Sequence, residues 1–319
     1  INNNKMELEK IIANEDIRIV FQPIVSLLDS QVLGYEALSR GPAGSPLERP
    51  DILFKTAEKN NLTWELEYLC RIKAIEKASP MLNNKKLFLN VDPKVIYDEK
   101  FRRGTTKELT SRFNIDPANI IFEITERTSI EDYKSFREVI QNYIEQGYKI
   151  AIDDTGAGYS GLRMLAEIHP QYIKIDMDLI RDIDKKIINQ ILIRTLRDFA
   201  QATNMYMIAE GIETTEELVT LIDLGVHYGQ GYLISKPMPE FADIPQDIQD
   251  MILTRQKQKQ KQLFYTTNSM PIGEIARKDA SIHSNAKGSV VNEMFSSNPS
   301  VFGIPVVDED KPVRLLMRN

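Results

Sequence analysis

Polar or charged side chains interrupt nearly every apolar strand-like segment of this sequence, either inside the segment or at its C-terminal end. These residues are Gln22, Glu36, Asn90, Glu123, Asp153, Asp154, Lys174, Glu210 and Gln230. A hydrophobic core needs none of them, because a buried charge is costly unless it is paired or coordinates a metal. If the segments close into one barrel, their polar ends meet at one mouth, where barrel enzymes carry their chemistry.

The oxygen-rich members of this set predict a divalent metal site. They are Glu36, Asn90, Glu123, Asp153 and Asp154. Carboxylate and amide oxygens, without thiolate or imidazole ligands, favour Mg²⁺ or Mn²⁺ over Zn²⁺. The crowded carboxylates would repel one another, and two divalent ions would neutralise that repulsion. Because two-metal sites of this kind hydrolyse phosphate esters, we expect that chemistry here.

Each residue taken alone has a simpler explanation. Glu126 and Glu213 can each be a helix N-cap or a surface charge. The pair Asp153-Asp154 before TGAGYSGL can be a tight strand-to-helix loop, although the same glycines would let backbone approach a phosphate. Lys174 can be a strand-end lysine whose ammonium reaches solvent. The convergence of the whole set is what favours a catalytic site.

The elements that must position these residues follow a regular alternation. Eight short β-branched or aromatic segments lie at 18–25, 32–39, 87–91, 120–125, 148–154, 172–176, 205–211 and 228–235. Amphipathic stretches between most of them predict an α/β barrel with an outer ring of helices. Only LLDSQV separates the first two segments, whereas a parallel crossover needs a dozen residues or more. We therefore predict a modified TIM (β/α)8 barrel with an initial hairpin and one antiparallel strand.

The chain beyond the barrel changes in composition. The run TRQKQKQKQ, residues 254–262, predicts a solvated helical linker. The tail contains GIPVVDEDKPVRLLMRN, which predicts a strand, a turn and a second strand. We expect a barrel domain over residues 1–250, followed over 251–319 by the linker helix and a small α+β fragment.

Composition excludes several classes of protein. A net charge of −6 leaves no basic stripe for a nucleic-acid polymer, but a small anionic ligand remains possible. The single cysteine, Cys70, excludes an intrachain disulfide and suits a reducing compartment, so we expect a cytoplasmic location. No apolar run approaches the roughly 18 residues of a membrane helix. Because residue 1 is Ile rather than Met, we expect the chain to be part of a longer protein.

Eight motifs, in order, resemble the EAL domain family from about residue 10 to 240. They are FQPIV, EALSR, LNVDP, FEITE, DDTGAGYSGL, IKID, IAEGIET and GQGYLISKPMP. The set is specific, although a lone EAL tripeptide would not be. The resemblance implies a modified TIM barrel, often a homodimer, that cleaves cyclic di-GMP to linear pGpG with two Mg²⁺ or Mn²⁺ ions.

The resemblance also assigns roles by position. Four residues match the family's metal ligands, with a fifth, acidic residue placed between the metals: Glu36, Asn90, Glu123 and Asp153, then Asp154. Three match positions that handle the attacking water or orient water and substrate: Lys174, Glu210 and Gln230. Gln22 and Arg40 match substrate-contact positions.

The loop after the aspartate pair departs from the family pattern. Thr155 stands where the family usually has an aromatic residue, while Gly156 and Gly158 are kept. Glu126 matches the glutamate that holds this loop in shape, and the loop is tied to metal binding and dimerisation in the family. We expect altered loop rigidity or dimer coupling rather than loss of metal ligands.

Two alternatives to the hydrolase differ in class. A receptor that binds cyclic di-GMP without cutting it is typical of degenerate family members, which lose a metal carboxylate or the Glu of EAL. Every expected ligand is present here, which favours catalysis. A different two-metal phosphodiesterase acting on another nucleotide is the second alternative. The tail more loosely resembles the first part of a CBS-type regulatory domain, which implies a regulatory nucleotide as a further partner.

Overall fold

The computed structural model describes residues 2–92, 105–125, 133–156, 161–269, 281–297, 303–308 and 311–318. The chain divides into two compact units, Ile1–Lys259 and Gln260–Asn319. In the described part of the chain, no helix combines the length and apolar character needed to span a membrane.

The first unit is built on a closed barrel of eight strands. They are β1 (Arg18–Ser26), β2 (Val32–Arg40), β3 (Lys86–Asn90), β4 (Ile120–Thr125), β5 (Lys149–Thr155), β6 (Tyr172–Ile175), β7 (Tyr206–Ala209) and β8 (Tyr228–Gly229). They are hydrogen-bonded in sequence order around the barrel. Strand β1 runs antiparallel to both β2 and β8, and the other neighbours are parallel. The predicted hairpin and the single antiparallel strand are confirmed.

The helices of the described residues follow the alternation expected from the sequence. They are α1 (Asn2–Ala13), α2 (Pro50–Lys59), α3 (Thr63–Ala78), α4 (Thr105–Arg112), α5 (Tyr133–Glu145), α6 (Gly161–Ile168), α7 (Met177–Ile180), α8 (Ile187–Ala202), α9 (Thr215–Leu224), α10 (Gln246–Ser269) and α11 (Gly288–Ser297). Helix α9 shows how local sequence fixes a boundary. Thr214 and Glu217 form a capping box at its start, and Gly225 ends it with a left-handed backbone, φ 78°.

The strand residues alternate between two separate hydrophobic clusters. The larger cluster lies between strands and helices and includes Phe122 and Ile173. The smaller one is enclosed by the strands and consists of Ile24, Phe88, Ile121, Ala151, Tyr172 and Ile208. Because successive side chains of a strand point to opposite faces, this second cluster is the apolar filling of the barrel. We call it the apolar layer.

Strand β8 is shorter than the sequence predicts. The pattern suggested a strand over 228–235, but the regular strand ends at Gly229. After Gln230 the chain turns, with the amides of Ile234 and Ser235 both donating to the carbonyl of Gly231. A Cβ on Gly231 would lie 2.2 Å from the backbone nitrogen of Ile212, so only glycine permits this close approach.

The first part of α10 is attached to the barrel. Arg255 pairs with Asp223, its Nε lying 2.7 Å from Oδ1. Further along the helix, Gln256 donates to the carbonyl of Leu27, and Lys259 donates to the backbone of α9. The predicted helix is present over this segment, and Thr254, Lys257, Gln258, Gln260 and Lys261 are exposed. Arg255, Gln256 and Lys259 differ from the prediction of a solvated linker, because their long side chains bond to the barrel surface.

The second unit contains a sheet of three strands and a helix. Its strands are β9 (Ile282–His283), β10 (Gly303–Asp308) and β11 (Lys311–Met317), in the order β11-β10-β9. Strands β10 and β11 are antiparallel, as the tail sequence predicts, and β9 pairs with β10 in parallel. A small core forms around Ile282, Ile304 and Val306, with residues of α11 packed on it.

Candidate active site

The predicted polar residues lie one step above the apolar layer on the same strands. Each is two residues from a member of that layer, toward the mouth formed by the C-terminal ends of the parallel strands: Gln22, Asn90, Glu123, Asp153, Lys174 and Glu210. Side chains two residues apart share a strand face, so all of them project into the barrel. Glu36 joins them because it is opposite Gln22 in the β1–β2 register, and Gln230 directly follows β8.

Lys174 is the centre of this group. Its side chain is 1% exposed. Four carboxylates surround its Nζ: Glu123 and Glu210 at 2.8 Å, Glu36 at 3.3 Å and Asp153 at 3.4 Å. Burial alone would lower the pKa of Lys174, but the carboxylates, Asp153 foremost, raise it well above its ordinary value. Lys174 is therefore a buried positive charge paired with the carboxylates around it.

Glu36 is held by three donors. Its Oε1 accepts a hydrogen bond from Asn90 Nδ2 at 2.9 Å, and its Oε2 accepts one from Gln230 Nε2 at 2.6 Å and one from Lys174. Burial opposes ionisation, yet Lys174 and the two amides lower the pKa of Glu36 below its ordinary value. Glu36 is thus an ionised carboxylate with its position set from three strands.

The remaining carboxylates exceed the positive charge available. Burial, followed by the charge of Glu36, raises the pKa of Glu123 well above its ordinary value. The pKa of Glu210 is raised as well, because the effect of burial outweighs the attraction of its carboxylate to Lys174. The Oε2 atom of Glu123 is buried without a hydrogen-bond partner among the described residues. A site with surplus carboxylates and an unpaired buried oxygen fits a divalent cation.

A second observation points to the same kind of ligand. Asp153, Asp154 and Glu210 each offer an oxygen, and these atoms lie within 4.8 Å of one another. Consecutive residues of a strand normally face opposite sides, so Asp153 and Asp154 could not converge in a regular strand. The pairing of β5 with β6 shifts register between Ile152 and Thr155, and Asp154 has φ 56°. This irregularity directs both carboxylates to one place.

The loop after this pair is only partly within the described residues. Thr155 is buried, and its hydroxyl oxygen has no hydrogen-bond partner in the described part of the chain. Gly156 has φ 103°, and a Cβ there would meet the side chain of Leu179 at 2.4 Å, so glycine is required. Gly158 and Glu126 lie outside the described residues, and the expected effect of Thr155 on the loop stays a prediction.

Two further predicted residues lie near the rim. Gln22 accepts a hydrogen bond from Gln230 at 3.0 Å and donates to the carbonyl of Ser235, which ties β1 to the turn after β8. Arg40 is half-buried and donates to the carbonyl of Ser39. It lies within electrostatic reach of Glu36. The amide oxygen of Gln230 is buried without a hydrogen-bond partner among the described residues, so one acceptor of this side chain is unused.

A buried ion pair that the sequence does not predict lies outside the ring of carboxylates. Glu67 and Arg71 on α3 are both buried, and Glu67 binds the backbone just beyond Asn90. The signal was present, since Trp64, Glu67, Arg71 and Ala74 share one helical face with the apolar stripe of α3. An i,i+4 pair of opposite charges ordinarily indicates a solvated face, and the sequence does not distinguish the two cases.

The sequence matches one family over most of its length. Residues 5–237 match the EAL domain. The chain belongs to the EAL domain family. The relative PdeB of Escherichia coli, named a probable cyclic di-GMP phosphodiesterase, is 33% identical over 73% of this chain. The chain spans 45% of the length of PdeB.

Solved structures of other EAL proteins have the same fold. BlrP1 of Klebsiella pneumoniae, in a manganese and cyclic di-GMP complex, is 28% identical with a TM-score of 0.67, covering 72% of this chain and 58% of that one. A standalone EAL protein of Vibrio cholerae, bound to cyclic di-GMP, is 31% identical with a TM-score of 0.65. That match covers 72% of this chain and 96% of the Vibrio chain.

Proposed function

We propose that the barrel of this chain hydrolyses cyclic di-GMP to linear pGpG with two Mg²⁺ or Mn²⁺ ions. The observation that carries the proposal is the ring of four carboxylates around Lys174, with further ligands in Asn90 and Asp154, at the mouth of an EAL barrel. Relatives of the family are named as phosphodiesterases of this nucleotide. The residues that would hold the metals are Glu36, Asn90, Glu123, Asp153 and Asp154.

The chemistry divides between the metals and the chain. Bound divalent ions supply positive charge that polarises the phosphoryl oxygens and activates water. Lys174 and Glu210, in contact at 2.8 Å, orient the attacking water on the opposite side of phosphorus from the leaving oxygen. The new bond joins the water oxygen to phosphorus, and the bond from phosphorus to the ribose 3′ oxygen breaks. The water gives up a proton as it attacks, and the departing 3′ oxygen takes one up, so a 5′-phosphate remains on one nucleoside and a 3′-hydroxyl on the other.

The substrate would be held at the rim. Gln22 and Gln230, already hydrogen-bonded to each other, would contact the ribose-phosphate backbone, and the half-buried Arg40 would meet a phosphate oxygen. The reaction asks little covalent help from protein, so positioning and electrostatics supply most of the lowering of the barrier. We propose a cytoplasmic location for this activity, which a chain without an intrachain disulfide suits.

A comparison of substrates tests the proposal against its alternatives. With Mn²⁺ present, we expect the chain to convert cyclic di-GMP to pGpG at least 100 times faster than it hydrolyses pGpG or 3′,5′-cyclic GMP. Faster turnover of either of those nucleotides would identify a different phosphodiesterase. Tight binding of cyclic di-GMP with no product under either metal would identify a receptor.

We also propose that the barrel forms a homodimer through α8. The first two turns of this helix present Ile187, Ile188, Ile191 and Leu192, which are between 40% and 76% exposed. Such an apolar row on one helix is typical of an interaction surface, and the occupant we propose is the same surface of a second copy. Near its start, Asn189 donates to the carbonyl of Leu179, the residue that packs against Gly156 after the aspartate pair.

The oligomeric state of variants tests the dimer. The double substitution Ile188→Asp with Ile191→Asp should convert a dimer to a monomer in size-exclusion chromatography with light scattering. Leu28→Asp is the matched control, because Leu28 is 65% exposed but lies in the β1–β2 hairpin. A monomeric wild-type chain at micromolar concentration, or a double variant that remains dimeric, would contradict the proposal.

For the second unit we propose a regulatory role with an adenine nucleotide as ligand. The support is the resemblance of its tail to the first part of a CBS-type domain. A parallel β9–β10 pair with α11 between them in the chain agrees with it. Calorimetric titration of the whole chain with AMP and ATP tests this role, and absence of heat for both nucleotides would contradict it.

A further inference from the structure

A glutamate in the outer ring of helices makes a direct contact with the backbone that follows β3, the strand of Asn90. The side chain of Glu67 on α3 is 7% exposed, and its Oε1 accepts a hydrogen bond from the backbone amide of Asp92 at 2.8 Å. Asp92 is two residues beyond Asn90. The residue between them, Val91, donates its amide to the carbonyl of Glu123 at 3.0 Å. The backbone after Asn90 is thus held from β4 on one side and from α3 on the other.

The buried carboxylate of Glu67 has few partners to offset the cost of its burial. Its Oε2 is 3.9 Å from the nearest guanidinium nitrogen of Arg71 and has no hydrogen-bond partner among the described residues. Burial raises the pKa of Glu67 to about 8 despite the neighbouring Arg71. An apolar side chain of similar volume would pack here at lower cost, so stability alone does not account for the carboxylate.

Arg71 connects the same helix to the strand of another ligand. Its Nη1 donates to the hydroxyl of Thr106 at 2.9 Å, at the start of α4. The guanidinium carbon lies 5.4 Å from the ring centre of Phe122, the residue before Glu123. The Glu67–Arg71 pair therefore contacts the chain next to two of the residues proposed to hold metal.

Asn90 depends on its backbone for its position. It is solvent-exposed at the mouth, so packing does not fix its side chain. Its Nδ2 donates to Glu36 at 2.9 Å, which leaves Oδ1 as the atom that can face a cation. A small movement of the strand end would break this hydrogen bond or turn the amide oxygen away.

We propose that Glu67 is a positioning residue for the metal site: by holding the amide of Asp92 it fixes the end of β3 and so directs the Asn90 oxygen to the cation. The inference rests on the proposed function only in taking Asn90 as a metal ligand, and binding of the metal alone tests it. Outer hydrogen-bond partners of metal ligands typically contribute 10- to 100-fold in metal affinity or activity.

Three substitutions separate positioning from stability. Glu67→Gln keeps an Oε1 acceptor for Asp92 without the charge. Glu67→Leu removes the acceptor and puts an apolar side chain of similar volume in its place. Leu66→Ala is the matched control, because Leu66 is fully buried on the same helix and its truncation destabilises the core without removing the hydrogen bond to the amide of Asp92. Circular dichroism checks folding, and if Glu67→Leu does not fold, Glu67→Asp replaces it, since its shorter side chain does not reach the amide.

The deciding measurement is the Kd for Mn²⁺ of the whole chain, by calorimetry, together with kcat at low and high Mn²⁺. We expect Glu67→Leu to bind Mn²⁺ about 10- to 100-fold more weakly and to recover kcat when Mn²⁺ is raised. Glu67→Gln should stay within about threefold of wild type, and Leu66→Ala should lower Tm at unchanged Mn²⁺ affinity.

Each outcome decides the inference. An unchanged Mn²⁺ Kd in Glu67→Leu, or an equal loss in Leu66→Ala, would overturn it. If the wild-type chain bound Mn²⁺ but cleaved no cyclic di-GMP, the proposed function would fail, while the pattern of Mn²⁺ affinities would still test the role of Glu67. A loss in Glu67→Gln as large as in Glu67→Leu would show that charge, rather than the hydrogen bond to Asp92, is what matters, and would also overturn it.

Discussion

Two layers inside the barrel are carried by the same strands and differ completely in chemistry. The lower one is the apolar layer, and the upper one, two residues along each strand, contains the carboxylates, the amides and Lys174. Burying one aliphatic or aromatic side chain in the apolar layer stabilises the fold by about 1.5–3 kcal/mol. Burying one charge in the upper layer costs several kcal/mol before pairing. The apolar layer thus stabilises the fold, whereas the upper layer lowers its stability by burying charged groups.

Removal of Lys174 should have the largest effect, because its ammonium contacts four carboxylates, of which Glu36 and Glu123 are buried. In a chelating buffer at pH 8, Lys174→Met should lower the free energy of unfolding by about 3–5 kcal/mol, since it leaves buried charge uncompensated. Hydrolysis of cyclic di-GMP should fall by a factor of about 10³ or more. Urea denaturation and a pGpG assay measure the two effects. If variant and wild type were equally stable in chelator, the buried charges of the upper layer would not carry the cost described above.

Substitution of Glu123 should separate activity from stability within the upper layer. Glu123→Gln preserves shape but removes a carboxylate whose pKa is raised by burial and by Glu36. Activity should fall by a factor of about 10³, as a divalent cation loses a charged ligand. Stability in chelator should be unchanged or higher by about 1 kcal/mol, because a costly buried charge is gone. A clear loss of stability in chelator would contradict this reading.

The residue two positions earlier on β4 should respond in the opposite way. Ile121 is fully buried in the apolar layer. Ile121→Ala should lower the free energy of unfolding by about 2–5 kcal/mol through lost burial and the remaining cavity. The kcat of the folded fraction should stay within about threefold. If this substitution abolished turnover while Glu123→Gln did not, the division into a structural and a chemical layer would be wrong.

A gradual effect is expected from pH, through Glu67. The pKa of Glu67 is raised from 4.5 to about 8 by burial, so the folded state binds this proton more tightly than the unfolded state. Its contribution to stability is complete below about pH 4.5 and is lost as the pH rises through about 8. Relative to wild type, Glu67→Gln should gain stability between pH 5 and pH 9, by at most about 1.4 kcal/mol per pH unit. A difference in urea midpoint that does not change with pH would contradict this.

The barrel and most of its polar layer follow from the sequence because both obey a two-residue period. Asn90, Glu123 and Lys174 interrupt apolar strands, and that alternation alone places them at one mouth. The short connection before β2 similarly predicts the hairpin. These features depend only on residues close together in the chain, so the period of the strands and the length of one connection are enough to predict them.

The features that the sequence does not predict depend on contacts between distant segments. Gly231 ends β8 early because it meets the backbone of Ile212. The sequence predicts Asp154 in the site, but not the shift in the pairing of β5 with β6 that brings it beside Asp153. The pair Glu67 and Arg71 looks like a surface pair until α3 is packed against β3. In each case the deciding partner lies on another element, so neither periodicity nor composition contains it.

The most direct test of the central claim is hydrolysis of cyclic di-GMP by the purified chain with Mg²⁺ or Mn²⁺, beside an EDTA control and the Glu36→Ala variant. Glu36 is the carboxylate held by Asn90, Gln230 and Lys174, so its loss should remove both a metal ligand and the link among three strands. We expect pGpG formation that depends on metal and is lost in EDTA and in Glu36→Ala. Binding of cyclic di-GMP without turnover under both metals, or undiminished turnover in Glu36→Ala, would contradict it.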